Sequence, residues 1–136
     1  MTLRIGDSAD ASFVVQPSDT AKALSTEDDF PDVFATSRMV ALMEFAAARA
    51  LKPLLQPGQM SVGVTLSIRH TAATPIGGNV RAVATYLGPD GKLFRFKVHA
   101  FDDAGPIGEG EHTRAIIDAE RLVTGAARRK HDVRSS

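Results

Sequence analysis

The sequence predicts an α+β protein in which one long helix packs against a single antiparallel β-sheet. Three observations support this prediction. One stretch, residues 30–55, carries apolar residues at helical spacing; four β-prone segments follow it; and a Gly-Pro-Asp-Gly turn joins two of those segments as a hairpin. The 136 residues suffice for one hydrophobic core but not for two, so we expect a single domain.

The predicted helix runs from about residue 37 to residue 51 of the stretch FPDVFATSRMVALMEFAAARALKPLL. Its apolar residues recur at i, i+3/i+4 and i+7, which places them in one stripe that must be buried. The stripe consists of Met39, Met43, Ala46, Ala47, Ala50 and Leu54. Thr36 and Ser37 offer N-cap chemistry before the stripe, and Pro53 ends the helix after it.

Glu44 lies at the edge of this stripe, and its position allows two interpretations. The carboxylate could turn to solvent or pair with Arg49, as most carboxylates do. Alternatively, it could lie in a partly dry cleft, with the hydroxyl of Thr36 two turns earlier on nearly the same side.

The segment before the helix contains a predicted strand, residues 11–16, and then a polar loop over residues 20–29. Two aromatic residues, Phe30 and Phe34, follow the loop at a spacing of four. They fit either a hydrophobic staple onto the helix start or a gate over a pocket.

The four β-prone segments after the helix are residues 60–70, 80–87, 92–102 and 107–117, and no second helix is expected among or after them. Simple alternation in the first segment puts one apolar row on a single face: Val62, Val64, Leu66, Ile68 and, at its end, His70. Gly63 falls on the opposite face. A histidine there is either a core residue or, if a carboxylate points to the same place, a functional one.

The last predicted strand places Gly108, Gly110, His112, Arg114 and Ile116 on one face. After residue 118 the chain becomes polar and ends in a basic run. We therefore expect one domain over residues 1–120 and a polar, frayed tail over residues 121–136.

Composition and missing motifs exclude several function classes. Sixteen basic residues balance sixteen acidic ones, which argues against nucleic acid or an anionic membrane as partner. The chain has no cysteine, no phosphate-binding loop, no Gly-x-Ser-x-Gly elbow and no metal-like histidine spacing, so we expect neither a metal nor another cofactor. It also has no apolar run of membrane-spanning length and no signal peptide, and the cytoplasm is the expected compartment.

Four sequence blocks resemble one known family: FPDVFAT-x-x-MVALMEFA, then SVG, then HTAATP from His70, then IGEGEHTRAII. The chain resembles the fluoroacetyl-CoA thioesterase family, which has the hotdog fold, a curled antiparallel sheet around one central helix. The resemblance implies that Thr36, Glu44 and His70 are catalytic. It also implies that Gly63 and Arg114 meet the acyl and thioester end of the substrate.

The resemblance further implies an acyl-CoA thioesterase that works as a homodimer on a short or small acyl group. Glu44 could attack the thioester directly or activate water, Thr36 could orient a reactant or accept the acyl group, and His70 could hold or protonate the leaving group. Two alternatives stay open: a non-catalytic acyl-CoA binding module, and an acyl-thioester hydratase or dehydratase of the same fold.

The segment that would cover the pocket departs from the family pattern. Only residues 25–29, STEDD, separate Leu24 from Phe30. The fluoroacetyl-specific member is expected to have a longer lid with a further aromatic residue. The resemblance thus implies that Phe30 covers the substrate in this chain. The lid that precedes it, residues 25–29, is shorter and acidic.

Overall fold

The computed structural model describes residues 2–135 and confirms the α+β architecture: a curled antiparallel sheet surrounds one central helix. The strands are β1 (Ser8–Val14), β2 (Gln59–His70), β3 (Asn79–Asp90), β4 (Leu93–Asp102) and β5 (Gly105–Asp118), in the sheet order β1-β3-β4-β5-β2. The helices are α1 (Ala21–Leu24), α2 (Thr36–Leu51) and α3 (Ala119–Ser135), with short 3-10 turns at Pro17–Asp19 and Lys52–Leu54. Strands β1 and β2 therefore form the two edges of the sheet.

Helix α2 buries one face against the concave side of the sheet, as its periodicity predicts. The buried residues of this face are Met39, Leu42, Met43, Ala46, Ala47 and Leu51. Opposite them, Ala82, Ala84 and Ala100 are fully buried, and their small side chains allow the helix to approach the strands closely. Burying each large side chain contributes about 1.5–3 kcal/mol, so this contact fixes where the helix lies.

The helix begins without the cap that the sequence suggests. Its N-cap is Ala35, which has no side chain able to accept a hydrogen bond, and Thr36 is already the first helical residue. The prediction that Thr36 and Ser37 cap the helix was therefore wrong. The Thr36 hydroxyl is instead available for a partner on the sheet.

A β-bulge in β2 changes which of its residues share a face. The register with β5 shifts between Gly63 and Thr65, so that Val64 is the extra residue of the bulge. Gly63 pairs with Arg114 and His70 pairs with Gly108, and the paired residues of β5 lie on one face. Strict alternation placed Gly63 and His70 on opposite faces, which was wrong because one extra residue reverses the parity of the strand.

The polar segment after β5 is helical. The expectation that no second helix would follow was wrong, because residues 119–135 form α3, whose described side chains are largely exposed. Its mainly polar sequence gives no apolar stripe of the kind that identified α2. The boundary at residue 120 between a domain and a frayed tail stays a prediction. None of the helices within residues 2–135 combines the length and apolar character that crossing a membrane requires.

Gly108 allows α2 and β2 to meet at the His70 end of the sheet, which gives a test of the packing. A Cβ at Gly108 would lie 2.6 Å from Met39 Sδ and 2.7 Å from the Arg69 carbonyl oxygen. We predict that Gly108→Ala lowers the free energy of unfolding by about 1–3 kcal/mol, the usual cost of overpacking, as measured by urea denaturation. In Gly125→Ala, where nothing lies within 4 Å of the new methyl group, stability should be unchanged or higher. Equal effects of the two substitutions would contradict this account.

Candidate active site

Thr36 and His70 form a hydrogen-bonded pair where α2 begins and β2 ends. The Thr36 Oγ1 to His70 Nδ1 distance is 2.8 Å. The pair forms because Thr36 is the first residue of α2 rather than its N-cap, so its hydroxyl is not used for capping. His70, the last residue of β2, lies close enough to accept this contact. The two lie beside a surface cavity of about 410 Å³, lined also by Ala21, Pro31, Val33, Phe34 and residues 71–73.

The second ring nitrogen of His70 is buried without a partner. Within residues 2–135, its Nε2 makes no hydrogen bond. Phe34 contacts the ring edge-on, with 6.5 Å between centroids. Burial lowers the pKa of His70, and the backbone of Ala72 opposes this shift to a smaller extent, so the imidazole is neutral at neutral pH. A neutral ring with one unpaired nitrogen could exchange a proton with a ligand that reaches it.

Glu44 belongs to a second polar group, centred on the buried guanidinium of Arg114. The Nη1 of Arg114 donates to Glu44 Oε2 at 3.1 Å. Its Nε and Nη2 donate to the side-chain and backbone oxygens of Ser61, each at 3.0 Å. The Arg114 side chain is 7% exposed and that of Glu44 39% exposed, so the arginine is enclosed while the carboxylate reaches the edge of the cleft.

The pairing with Arg114 excludes the predicted pair with Arg49, while a catalytic role of Glu44 stays a prediction. The carboxylate is neither free in solvent nor paired with Arg49, whose guanidinium donates to the Asp10 carbonyl oxygen instead. Only Oε2 of Glu44 is engaged by Arg114, which leaves Oε1 available to act on a ligand.

Gly63 explains how the carboxylate reaches this position. A Cβ at Gly63 would lie 2.8 Å from Glu44 Oε2 and 3.1 Å from His112 Cε1. Any larger residue would therefore displace the carboxylate from Arg114. Gly63, Glu44 and Arg114 thus come together as one group in the folded chain.

The predicted site residues nevertheless fall into separate groups within one chain. Thr36 and Glu44 are eight residues apart on α2, which corresponds to about 12 Å along the helix axis. No hydrogen bond links the Thr36 and His70 pair to the Glu44 group in the described residues. Phe30 is joined to neither: it is 44% exposed and lines a different cavity together with residues of the lid.

His112 is a site residue that the resemblance did not single out. Its ring is 2% exposed, with Nδ1 2.8 Å from the Thr65 carbonyl oxygen and Nε2 3.1 Å from Arg114 Nη1. Burial lowers the pKa of His112; the hydrogen bond to Thr65 raises it, the Arg114 charge lowers it further and the Glu44 charge raises it. The sequence carried one signal, since His112 alternates with Arg114 on a single strand face.

Phe34, rather than Phe30, is the aromatic residue next to the candidate catalytic pair. It is 1% exposed and packs edge-on against Phe13, with 5.7 Å between ring centroids, as well as against His70. Within residues 2–135, no cluster of three or more histidine and carboxylate side chains could hold a metal ion.

A curled five-stranded antiparallel sheet around one central helix is the hotdog fold, and the chain shares it with proteins of the thioesterase superfamily. A member of that superfamily from Thermus thermophilus superposes with a TM-score of 0.87 at 28% identity, over 99% of this chain and 98% of that one. The class defined by fold and site is thus a hotdog-fold thioesterase.

Closer similarity identifies the family within that class. The family model of the fluoroacetyl-CoA-specific thioesterase matches residues 15–120. A fluoroacetyl-CoA thioesterase from Streptantibioticus cattleyicolor is 41% identical over 124 residues, which are 88% of this chain and 89% of that protein. The crystal structure of a mutant of the fluoroacetyl-CoA-specific thioesterase FlK superposes with a TM-score of 0.88 at 37% identity, covering 95% of this chain and 98% of that one. The chain belongs to the fluoroacetyl-CoA-specific thioesterase family.

The lowered pKa values of His70 and His112 predict an acid-sensitive fold. Because the pKa of each is lowered in the folded state, the unfolded chain binds more protons below its ordinary histidine pKa of about 6.5. Stability should be fully present above that pH and fall as the pH drops toward the folded pKa values, by at most about 1.4 kcal/mol per pH unit for each histidine.

Urea denaturation measures how the free energy of unfolding changes with pH. The pH series runs from about 7.5 to about 5.5, which brackets the unfolded histidine pKa. His70→Gln and His112→Gln should each flatten the slope of this pH dependence. A wild-type slope that neither variant alters would refute the assignment.

Proposed function

We propose that the protein hydrolyses the thioester of a short acyl-CoA, as a homodimer in which each active site combines Thr36 and His70 of one protomer with Glu44 and Arg114 of the other. The observation that carries this proposal is the separation of the two polar groups on α2. The relatives are named as thioesterases of fluoroacetyl-CoA, a CoA thioester with a two-carbon acyl group. A cysteine-free chain suits the reducing cytoplasm, where we place the reaction.

A second copy of the chain is the partner that the surface favours. Strand β2 has a neighbour on one side only, so its outer edge offers unpaired backbone groups. Large apolar side chains are exposed along it and on the adjacent helix: Met60 (39%), Val64 (51%), Leu66 (39%) and Phe45 (52%). A two-fold contact through this edge would cover them and would run the two β2 strands in opposite directions. The His70 end of one strand would then approach the Gly63 end of the other.

The start of α2 supplies the groups that a developing oxyanion needs. The backbone N–H groups of Thr36 and Ser37 have no acceptor among the described residues, because the first turn of a helix leaves its N–H groups unpaired. Together with the positive end of the helix dipole they would stabilise the negative charge on the thioester oxygen.

Glu44 would supply the attacking or proton-accepting oxygen. In the direct route, Oε1 attacks the carbonyl carbon, the C–S bond breaks, and water then hydrolyses the mixed anhydride. In the general-base route, Oε1 takes a proton from water as the water oxygen attacks, and the tetrahedral intermediate collapses with loss of the CoA thiolate. In both routes Arg114 holds Oε2, so the carboxylate keeps its orientation.

His70 and Thr36 would act at the other side of the thioester. The unpaired Nε2 of His70 would hydrogen-bond to the reacting water or the leaving group once substrate reaches it, while Nδ1 stays bonded to Thr36 Oγ1. The thiolate of CoA is a good leaving group at neutral pH, so a neutral imidazole that relays a proton suffices.

The catalytic assignment predicts that Glu44→Gln and His70→Ala each lower kcat for acyl-CoA hydrolysis by roughly 100-fold or more, the scale of losing a positioned acid–base or nucleophilic group. Free thiol released from a panel of short acyl-CoAs measures the rate. A protein that only binds acyl-CoA would saturate with no thiol released.

The shared site makes a stricter prediction for mixtures of these two inactive variants. In a mixed dimer one site would carry both substitutions and the other neither, so refolding the variants together should restore about a quarter of wild-type activity. If all catalytic residues acted within one protomer, every site in the mixture would stay defective. Light scattering should give the mass of two chains at micromolar concentration, and the mass of one chain would count against the dimer.

The lid predicts weak discrimination between fluoroacetyl-CoA and acetyl-CoA. Ser25 Oγ donates to Asp28 Oδ2 within the short acidic loop, and Phe30 beyond it is exposed rather than placed over His70. A pocket that is not tightly enclosed separates such similar acyl groups poorly, so kcat/KM for the two should differ by less than roughly 100-fold. A preference of many thousandfold for the fluorinated substrate would show that the lid closes the pocket after all.

A further inference from the structure

His112 is a buried titratable residue with no role in the reaction described above. It lies on β5 two residues before Arg114, and all but 2% of it is buried. Both ring nitrogens have partners, Thr65 through Nδ1 and Arg114 through Nε2.

These partners fix one tautomer. A guanidinium has only donors, so His112 Nε2 must accept the hydrogen bond from Arg114 Nη1, and it can do so only when unprotonated. The Thr65 carbonyl oxygen can only accept, so Nδ1 must carry the proton. The ring is therefore neutral and in the Nδ1–H form.

The Nη1 of Arg114 is shared between two acceptors. Glu44 Oε2 and His112 Nε2 each lie 3.1 Å from it, while Ser61 takes the N–H groups on the Nε and Nη2 side. Without the His112 contact, one Nη1 hydrogen would lack an acceptor in a buried site and the guanidinium could rotate away from the carboxylate.

We propose that His112 is a positioning residue for the thioesterase reaction: its unprotonated Nε2 orients Arg114 so that the guanidinium holds Glu44 Oε2 and leaves Oε1 free to react. This role rests on the proposed function, because it concerns the same carboxylate. His112 acts through Arg114 and needs no contact with the substrate.

The charged groups around the ring set its response to acid. Glu44 faces it from α2 and Arg114 from its own strand, while β2 contributes the neutral Thr65 carbonyl. Protonation of Nε2 would set a donor against the Arg114 donor 3.1 Å away and break the contact. Acid should thus reduce activity through the position of Glu44, in addition to any titration of His70.

Two substitutions separate positioning from support of the strand. His112→Gln can place an acceptor near the former Nε2 and keep the contact to Arg114, whereas His112→Asn can keep a donor toward Thr65 but does not reach Arg114. We expect His112→Asn to lower kcat for acetyl-CoA by roughly 10- to 100-fold with little change in KM, the effect of misplacing a catalytic group by about 1 Å. His112→Gln should retain most of the activity and lose the part of the acid limb that His112 contributes.

The reverse ranking, with the asparagine variant active and the glutamine variant impaired, would show that the bond to Thr65 matters and would overturn the proposal. Equal activity of both variants and the wild type would overturn it as well. His99→Asn, on the outer face of β4, is the matched control and should leave kcat unchanged. In an Arg114→Lys background, His112→Asn should add no further loss, since the group it orients is already gone.

One measurement uses the wild-type protein alone and requires neither a substrate nor a variant that folds. The ¹⁵N–¹H spectrum of the wild-type imidazoles should show His112 protonated at Nδ1 and unprotonated at Nε2 near neutral pH. An Nε2–H tautomer would refute the positioning role even in a fully active enzyme. If the wild type released no thiol from any acyl-CoA, the proposed function would fail, and this spectrum would still decide whether His112 orients Arg114.

Discussion

The structure depends on the hydrogen bonds and the ion pair that the buried guanidinium of Arg114 makes. Moving a guanidinium out of water is costly unless its donors are paired and its charge is balanced. Arg114 meets this requirement with hydrogen bonds to Ser61 on β2, His112 on β5 and Glu44 on α2. Because the acceptors belong to three elements, satisfying the arginine also fixes how the helix lies against the edge of the sheet.

Two local features of β2 make this arrangement possible. The bulge at Val64 turns Gly63 to the same face as His70, and the missing side chain of Gly63 leaves room for the Glu44 carboxylate. A regular strand would present Gly63 to the opposite face, and a methyl group would lie 2.8 Å from Glu44 Oε2. The backbone irregularity and the glycine are thus as necessary to the ion pair as the two charged residues.

Periodicity predicted the central helix and the paired strands because each is long and has one buried face. The same reasoning failed where one residue changes the outcome: the bulge residue Val64 reverses strand parity, and Ala35 rather than Thr36 caps the helix. Helix α3 went unpredicted because it lacks an apolar stripe, so its polar sequence resembles a tail. The resemblance supplied Thr36, Glu44, His70, Gly63 and Arg114 as candidates, but how they group depends on contacts between distant segments, as does the position of His112.

The spacing of Thr36 and Glu44 limits what one chain can do alone. A helix advances about 1.5 Å per residue, so the backbones of Thr36 and Glu44 lie about 12 Å apart along the helix axis. Bending the helix would break the packing of Met39 and Met43, which are fully buried between them. The helix must therefore present its two polar groups to two different places. In the proposed two-fold dimer, the start of one helix would lie beside the middle of the partner's helix, and the reverse would hold at the second site. The rigid helix would then set the distance between the two shared sites of the dimer.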